Sequence, residues 1–329
     1  MRTVDRRSPV AIWKEHDSIE GERVQAFVVI LRTRGCWWSR ERGCTMCGYN
    51  AESLDGIQPE HLRAQLSKAL DSYGGEDFVK VYNSGSFLDE EEIPKEVRNE
   101  VLRSFGAAKR ILFETRPEFV TQEALEEMPL ERVSVALGLE SASDAVLGGC
   151  VGKGFTLDDY TRAARLLGSF KVPLRTYLLL KPPFLTERAS IEDASISVAY
   201  ASKYSESVSI NPVNVQAGTV VEDLWRRGDY RPPWLWSLVE VLKTATDDGP
   251  RVFSSPTGGG TPRGAHNCGR CDRNLLEAVQ RFSFSQDRRE FDGFGCRCAE
   301  EWRALTEFQD VMSTSVDVER HLRAGMEID

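Results

Sequence analysis

Arg32-Thr-Arg-Gly-Cys36-Trp-Trp-Ser-Arg-Glu-Arg-Gly-Cys44-Thr-Met46-Cys47-Gly-Tyr49-Asn50 follows directly on an apolar run, Ala26–Leu31. It sets Cys36, Cys44 and Cys47 in a C-x7-C-x2-C arrangement with no fourth cysteine nearby. A structural zinc site wants four protein ligands, and a disulfide framework wants an even number of thiols. Three thiolates on one loop suit instead an iron–sulfur cluster held through three irons, with the fourth iron open. The alternatives are zinc completed by a distant Cys150 or His61, or three reduced structural thiols.

Outward from this loop, short apolar segments alternate with helical patterns. Strands are expected at Ala26–Arg32, Phe78–Asn83, Arg110–Glu114, Arg132–Leu139, Leu174–Leu180 and Ser207–Val215, most of them apolar throughout, as strands covered on both faces should be. Helices are expected at Pro59–Tyr73, Pro94–Phe105, Thr121–Glu127, Thr156–Leu167 and Ile191–Ser202, several opened by Pro or Thr and closed by Gly. Residues before about Arg23 read as an irregular arm. Six β–α alternations imply a parallel sheet with right-handed crossovers. The fold class is therefore α/β: a partial (β/α)6 TIM-like barrel, too short to close. In such barrels the chemistry sits at the C-terminal strand ends, where the polar segments Arg34–Tyr49, Asn83–Asp89, Glu114–Glu118, Gly138–Ser143, Lys181–Glu187 and Asn211–Gly218 fall. The pattern changes past Gly218, which divides the chain into a barrel with its N-terminal arm (1–218) and a smaller C-terminal domain (219–329).

Composition agrees with a globular protein: 41% hydrophobic and 28% charged residues in 329. The first residues lack an apolar core of signal-peptide length, and no apolar run approaches the roughly 20 residues of a membrane helix. A cytoplasmic protein without membrane contact is expected. Eight cysteines in such a chain point to metal rather than disulfides. A net charge of −9 disfavours unaided, charge-driven nucleic-acid binding. The first 50 residues, however, hold nine Arg/Lys against six Asp/Glu, so a local or partner-shared contact remains open.

A cluster with one open iron can chelate the amine and carboxylate of S-adenosylmethionine, and an electron from it can release a 5′-deoxyadenosyl radical. The strand-end segments offer groups for that molecule. Asn83, Ser84, Gly85 and Ser86 are small enough to let backbone carbonyls near the amine. Glu114 and Glu140 could accept from ribose hydroxyls or the ammonium, and Arg116 could pair with the carboxylate. Met46 and Tyr49 could pack on adenine.

The set Arg32-Thr-Arg-Gly-Cys-Trp-Trp, Cys44-Thr-Met-Cys-Gly-Tyr, Asn83-Ser-Gly-Ser-Phe-Leu-Asp, Glu114-Thr-Arg-Pro-Glu, Gly138-Leu-Glu-Ser and Leu178-Leu-Leu-Lys-Pro-Pro-Phe-Leu-Thr-Glu resembles the radical-SAM subunit family of archaeosine synthase. It is similar, more distantly, to the radical-SAM domain of the Elongator catalytic subunit. The resemblance runs from about Pro9 to Cys298. It implies a radical-SAM type barrel, a [4Fe–4S] cluster on Cys36, Cys44 and Cys47, and S-adenosylmethionine as radical source. It further implies, as substrate, tRNA bearing a lysine adduct of 7-cyano-7-deazaguanosine in the D-loop, whose C–N bond is broken to leave archaeosine. A lysine-transferring synthase subunit and an electron donor are the implied partners. Lys181 and Asn211 could meet the substrate's lysine carboxylate or base. The C-x7-C-x2-C spacing departs from the superfamily's usual C-x3-C-x2-C, and the insertion Trp37–Gly43 brings Arg40 and Arg42. An Elongator-like modification of uridine would need an acyltransferase domain, for which no pattern is present.

A second cysteine group closes the chain. Cys268 and Cys271 form a C-x2-C, and Cys296 and Cys298 a C-x-C, the pairs 24 residues apart. Two chelating pairs at this distance signal zinc, with His266 a candidate substitute for one thiol. A second iron–sulfur cluster is the competing reading. The intervening Arg273, Arg281, Arg288 and Arg289, with Phe282 and Phe284, could meet tRNA or a partner. A non-catalytic, metal-stabilised RNA-binding module is the alternative of a different class. Gly148–Gly154, including Lys153, lacks phosphate-loop spacing, and Cys150 reads as an inert thiol. His16, His61 and His321 lack ligand-spaced neighbours.

Overall fold

The computed structural model of the chain describes residues 4–246 and 248–312, the last three as backbone only. The acidic tail beyond, with His321, lies outside the described residues. Eight strands form one sheet in sequence order: β1 (Ala11–Ile19), β2 (Glu22–Ile30), β3 (Phe78–Tyr82), β4 (Arg110–Thr115), β5 (Val133–Glu140), β6 (Leu174–Leu180), β7 (Ser207–Pro212) and β8 (Arg251–Phe253). Strands β2 to β8 run parallel. The six expected strands are β2 to β7. The sheet gains one strand at each edge: β1, an antiparallel hairpin partner of β2, replaces the irregular arm, and β8 follows β7.

The helices are α1 (Trp37–Glu41), α2 (Pro59–Ser72), α3 (Lys95–Ser104), α4 (Gln122–Glu126), α5 (Asp144–Val146), α6 (Leu157–Ser169), α7 (Glu187–Ala201), α8 (Val220–Arg227), α9 (Leu235–Leu242), α10 (Asp272–Ser285) and α11 (Cys298–Met312); α2, α3, α4, α6, α7, α9 and α10 pack on the convex side of the sheet. Helix α6 starts where the sequence places it, because Thr156 Oγ1 accepts from Asp159 N while Asp159 returns the bond to Thr156 N. One side of each strand feeds a single core with these helices. Val79, Val81, Ile111, Phe113, Val135, Leu137, Leu178 and Ile210 meet Leu62, Val97, Val101, Ala163, Leu167 and Leu238 there.

The concave side is different. A small apolar floor of Ala26, Phe78, Leu112 and Ala136 lies beside buried charge: Asp17 on β1, Lys80 on β3 and Arg175 on β6. Arg175 reaches Asp17 with two hydrogen bonds of 2.8 and 3.0 Å. Five strand spacings would hold these strands about 24 Å apart in a flat sheet. The contact therefore requires the sheet to curl on itself. Tyr82 of β3 and Tyr177 of β6 meet across the same interior, hydroxyl to hydroxyl at 3.2 Å. Mixed α/β layering on a curled, open eight-stranded sheet is the partial barrel the sequence predicts.

Candidate metal centres

The three-cysteine loop leaves the C-terminal end of β2 and lies across the mouth of the curl. Five of the seven residues between Cys36 and Cys44 form the short helix α1, which accounts for the long spacing. Three strand-end loops, after β3, β5 and β7, hold the segment. Under Cys36, Gly85 lets two backbones meet: a Cβ there would fall 2.8 Å from the Cys36 Cα. Trp38 Nε1 donates to Gly152 O at 2.7 Å, and Gly154 lies against its indole. Thr45 donates through its hydroxyl to Cys150 O (2.7 Å) and through its amide to Val151 O (2.9 Å). From the loop after β7, Gln216 Oε1 accepts from Gly48 N at 2.6 Å. Ser84 Oγ donates to Tyr49 O at 3.1 Å.

Burial raises the Cys44 thiol and pushes Cys47 up to about 11. In the metal-free protein both are thiols, so a bound cation is needed to hold them as thiolates. The three ligand sulfurs are not drawn onto one point. Among the described residues only the C-terminal cysteines bring three or more metal-ligating atoms within 4.8 Å of one another. Wider separation suits a cluster, which places each thiolate on its own iron, better than a single ion.

Around the loop, the named groups are gathered but already bonded. Glu92, buried, accepts from Thr33 Oγ1 (2.5 Å), Asn83 Nδ2 (2.7 Å) and Ser86 N (2.6 Å), tying the start of the cysteine loop to the Asn83–Ser86 turn. Asn83 Oδ1 is left enclosed without a partner. Ser86 Oγ accepts from Arg116 N at 3.1 Å. The Arg116 guanidinium lies among the rings of Trp37, Trp38 and Phe155 at 5.2–5.9 Å. It donates to Glu118 (2.5 Å) and Lys153 O (3.1 Å), and its Nη2 is buried and unpartnered. The insertion thus supplies an aromatic enclosure for Arg116, while Arg40 is held by Asp55 at 3.0 Å.

Glu140 sits in the left-handed region (φ 71) at a bulge ending β5 and pairs with Lys153 at 2.6 Å. Burial works against the Lys153 charge, yet the paired Glu140 carboxylate keeps its pKa above the ordinary value. Glu114, one strand over, is pushed up to about 7 by burial and then by repulsion from Glu140. It can therefore donate or accept near neutral pH. Met46 packs partly buried beside Val151 and Val213, and Tyr49 is 57% exposed.

Lys181 and Asn211 stand at the ends of β6 and β7. Lys181 is buried, ion-paired with Glu187 at 2.6 Å, and its carbonyl accepts from Tyr230 Oη at 2.8 Å. Asn211 Oδ1 accepts from Ser209 Oγ at 3.1 Å.

The C-terminal group is compact. Its sulfurs lie 3.9 Å (Cys268–Cys271), 3.6 Å (Cys268–Cys296) and 3.6 Å (Cys271–Cys298) apart. Trp236 Nε1 donates to Cys298 Sγ at 3.3 Å and Asn267 Nδ2 to Cys271 Sγ at 3.4 Å. Backbone amides of Arg270 and Cys271 lower the Cys268 thiol to about 7. Asp272 shapes the turn by accepting from Asn267 N and Gly269 N, both at 2.8 Å. His266 stands outside the quartet, with Nδ1 2.8 Å from Gly264 O. Cys150 is fully buried and pushed up to about 12 by burial.

Sequence reading missed Glu92, Lys153, Trp236 and Asn267. Lys153 was weighed only against a phosphate loop. Its partner Glu140 lies 13 residues upstream, and no local spacing signals that pairing.

No family model matches the chain. Two curated relatives cover nearly all of it. Archaeosine synthase subunit beta of Methanosarcina acetivorans is 38% identical over 317 residues, 92% of this chain and 91% of that protein. The same subunit of Thermococcus kodakarensis is 37% identical over 90% of this chain and 96% of its own length. Among solved structures, archaeal Elp3 of Methanocaldococcus infernus aligns with a TM-score of 0.51 at 19% identity, covering 73% of this chain and 61% of that one, a likeness of fold. With two relatives above one-third identity along almost its full length, the chain belongs to the archaeosine synthase subunit beta family.

Proposed function

We propose that the chain is a radical-SAM enzyme of tRNA modification, breaking the C–N bond of a lysine adduct of 7-cyano-7-deazaguanosine in the tRNA D-loop to give archaeosine. The observation that carries this reading is the seat of Cys36, Cys44 and Cys47. They lie on one loop, fastened to the strand-end loops after β3, β5 and β7 at the mouth of a half-barrel, and apart from the compact quartet. When bound, a [4Fe–4S] cluster and S-adenosylmethionine supply the radical that abstracts hydrogen from the lysine side of the adduct.

The chain's own residues hold and shape that site. Cys36, Cys44 and Cys47 are the cluster ligands. The unpartnered Nη2 of Arg116 suits the methionine carboxylate, and the Asn83–Ser86 turn, braced by Glu92, suits the amine. Glu114 and Glu140 serve ribose or ammonium, with Lys153 balancing Glu140. Met46 and Tyr49 flank the adenine, and Lys181 and Asn211 line the substrate side. No general base is needed for hydrogen abstraction.

Cys268, Cys271, Cys296 and Cys298 hold zinc. Four thiolates about 2.3 Å from a tetrahedral ion stand roughly 3.8 Å apart, and the sulfur spacings of 3.6–3.9 Å support that geometry. Residues 219–329 make the zinc-bearing part that contacts tRNA or the partner. The lysine-transferring subunit and an electron donor complete the system in the cytoplasm. Among the described residues no helix is long and apolar enough to cross a membrane.

The test is anaerobic reconstitution with iron and sulfide, then reductant, S-adenosylmethionine and lysine-adduct tRNA, with the partner subunit present. Archaeosine in the nucleoside digest and 5′-deoxyadenosine in solution are expected. Absence of 5′-deoxyadenosine would reject the radical chemistry; its presence without archaeosine would reject the substrate.

A further inference from the structure

Strained backbone gathers at the chemical end of the barrel. Among the described residues six non-glycines adopt positive φ, and three of them, Glu140 (71°), Lys181 (60°) and Phe184 (72°), lie at or just past the C-terminal ends of β5 and β6. For a bulky residue this conformation is a genuine outlier, costly unless the surroundings fix it. At Glu140 and Lys181 the side chain ends in a buried ion pair, with Lys153 and Glu187 respectively, which offsets the cost. Phe184 has no such compensation. Its side chain is 44% exposed, and no ring or cation packs on it among the described residues.

The backbone on either side of the ring is nevertheless anchored. Lys181, Pro182 and Pro183 before it are buried. Two residues after it, Thr186 caps α7 by accepting from Ala189 N, and Glu187 is fully buried. An exposed aromatic on a clamped, strained turn is what a stacking platform requires, because little conformational freedom is lost when a partner ring arrives. Of the four large apolar side chains exposed in strand-end loops at this mouth, Trp37, Tyr49, Phe184 and Val220, three are aromatic. Single rings on a polar rim fit nucleobases, which stack without needing a wide apolar patch. A docked protein would need such a patch.

Resting on the tRNA-modifying reading above, we infer that Phe184 is a substrate-positioning residue, its ring stacking on an unpaired base of the RNA beside the site. The test measures binding of a D-arm-containing tRNA transcript to the full, cluster-loaded chain by fluorescence anisotropy. Phe184→Ala should weaken binding roughly 5- to 150-fold, the range of one base–aromatic stack. Phe184→Trp should keep wild-type affinity, and Phe184→Leu should behave like Ala. S-adenosylmethionine affinity and cluster absorbance should not change.

Phe184→Gly supplies the readout that separates positioning from stability. It relieves the strained φ, so thermal stability should hold or rise while RNA affinity falls. Equal RNA binding by wild type and Phe184→Ala overturns the inference, as does full affinity in Phe184→Leu. Loss of partner-subunit binding with RNA affinity intact overturns it in favour of a protein contact. If wild type itself makes no 5′-deoxyadenosine and binds no tRNA, the underlying functional reading falls with it. If wild type does both and Phe184→Ala is indistinguishable, this inference alone falls.

Discussion

Two groups of cysteines, one at each end of the chain, are built to opposite plans. The quartet Cys268, Cys271, Cys296 and Cys298 is drawn to sulfur spacings of 3.6–3.9 Å, and its thiols receive N–H donors from Trp236 and Asn267. The triad Cys36, Cys44 and Cys47 is spread wider and ringed by groups that titrate or carry charge, including Lys153, Glu140, Glu114 and Arg116. Four sulfurs drawn together, two of them met by side-chain N–H donors, with no spare ligand position suit a site that holds structure together. Missing a fourth ligand and facing unpartnered polar atoms makes a site that takes up something further. The difference in function proposed for them is a difference in saturation.

Breaking the triad should have the largest effect. Cys44→Ser removes a ligand that no neighbour replaces, so reductive cleavage of S-adenosylmethionine should drop to the detection limit, with iron lost and zinc retained by elemental analysis. Next comes the quartet. Cys268→Ser should release zinc and lower thermal stability by on the order of several kcal/mol, while visible absorbance of the cluster persists.

The barrel interior supplies a third contrast, because its charge is structural. Burial opposes ionisation of Asp17, but Arg175 and Lys80 outweigh it and hold the carboxyl well below the usual range. Asp17→Asn leaves two buried cations short of an anion and should cost about 3–5 kcal/mol in denaturant unfolding. Since the folded pKa is depressed, this stabilisation is present above the unfolded value of about 3.9 and is lost as pH falls through the folded one. Glu114 has the reverse sign. Its folded pKa is about 7, so its contribution is full below the unfolded value of about 4.3 and declines as pH rises towards 7. In the metal-free protein Glu114→Gln should flatten that decline, read from unfolding midpoints across the interval. Smallest of all, Arg40→Ala breaks only an exposed pair with Asp55 and should change stability by less than about 1 kcal/mol.

Much of this was legible in the sequence, for identifiable reasons. Strands β2 to β7 are covered on one face by helices and on the other by the barrel interior, so they read as continuous apolar runs. Strand β1 escaped because it is an edge strand, and Lys14, Glu15, His16 and Asp17 interrupt its apolar residues. Strand β8 escaped because three residues carry no period. The cysteines were legible because chelation imposes short spacing. Glu92 and Lys153 were not, since they act on Thr33, 59 residues away, and on Glu140, 13 residues back across an irregular loop, neither of them a local spacing that signals a pair. Phe184 was part of a quoted motif, but nothing in its letters shows that its ring faces outward on a left-handed turn.

The central claim is that two metal centres of different kind coexist in one chain. Iron, sulfide and zinc content of anaerobically reconstituted wild type, Cys44→Ser and Cys268→Ser tests it most directly. Wild type should hold about four iron and one zinc per chain, Cys44→Ser should lose only the iron, and Cys268→Ser only the zinc. Loss of both metals from either variant, or zinc retained by Cys268→Ser in the triad's place, would contradict it.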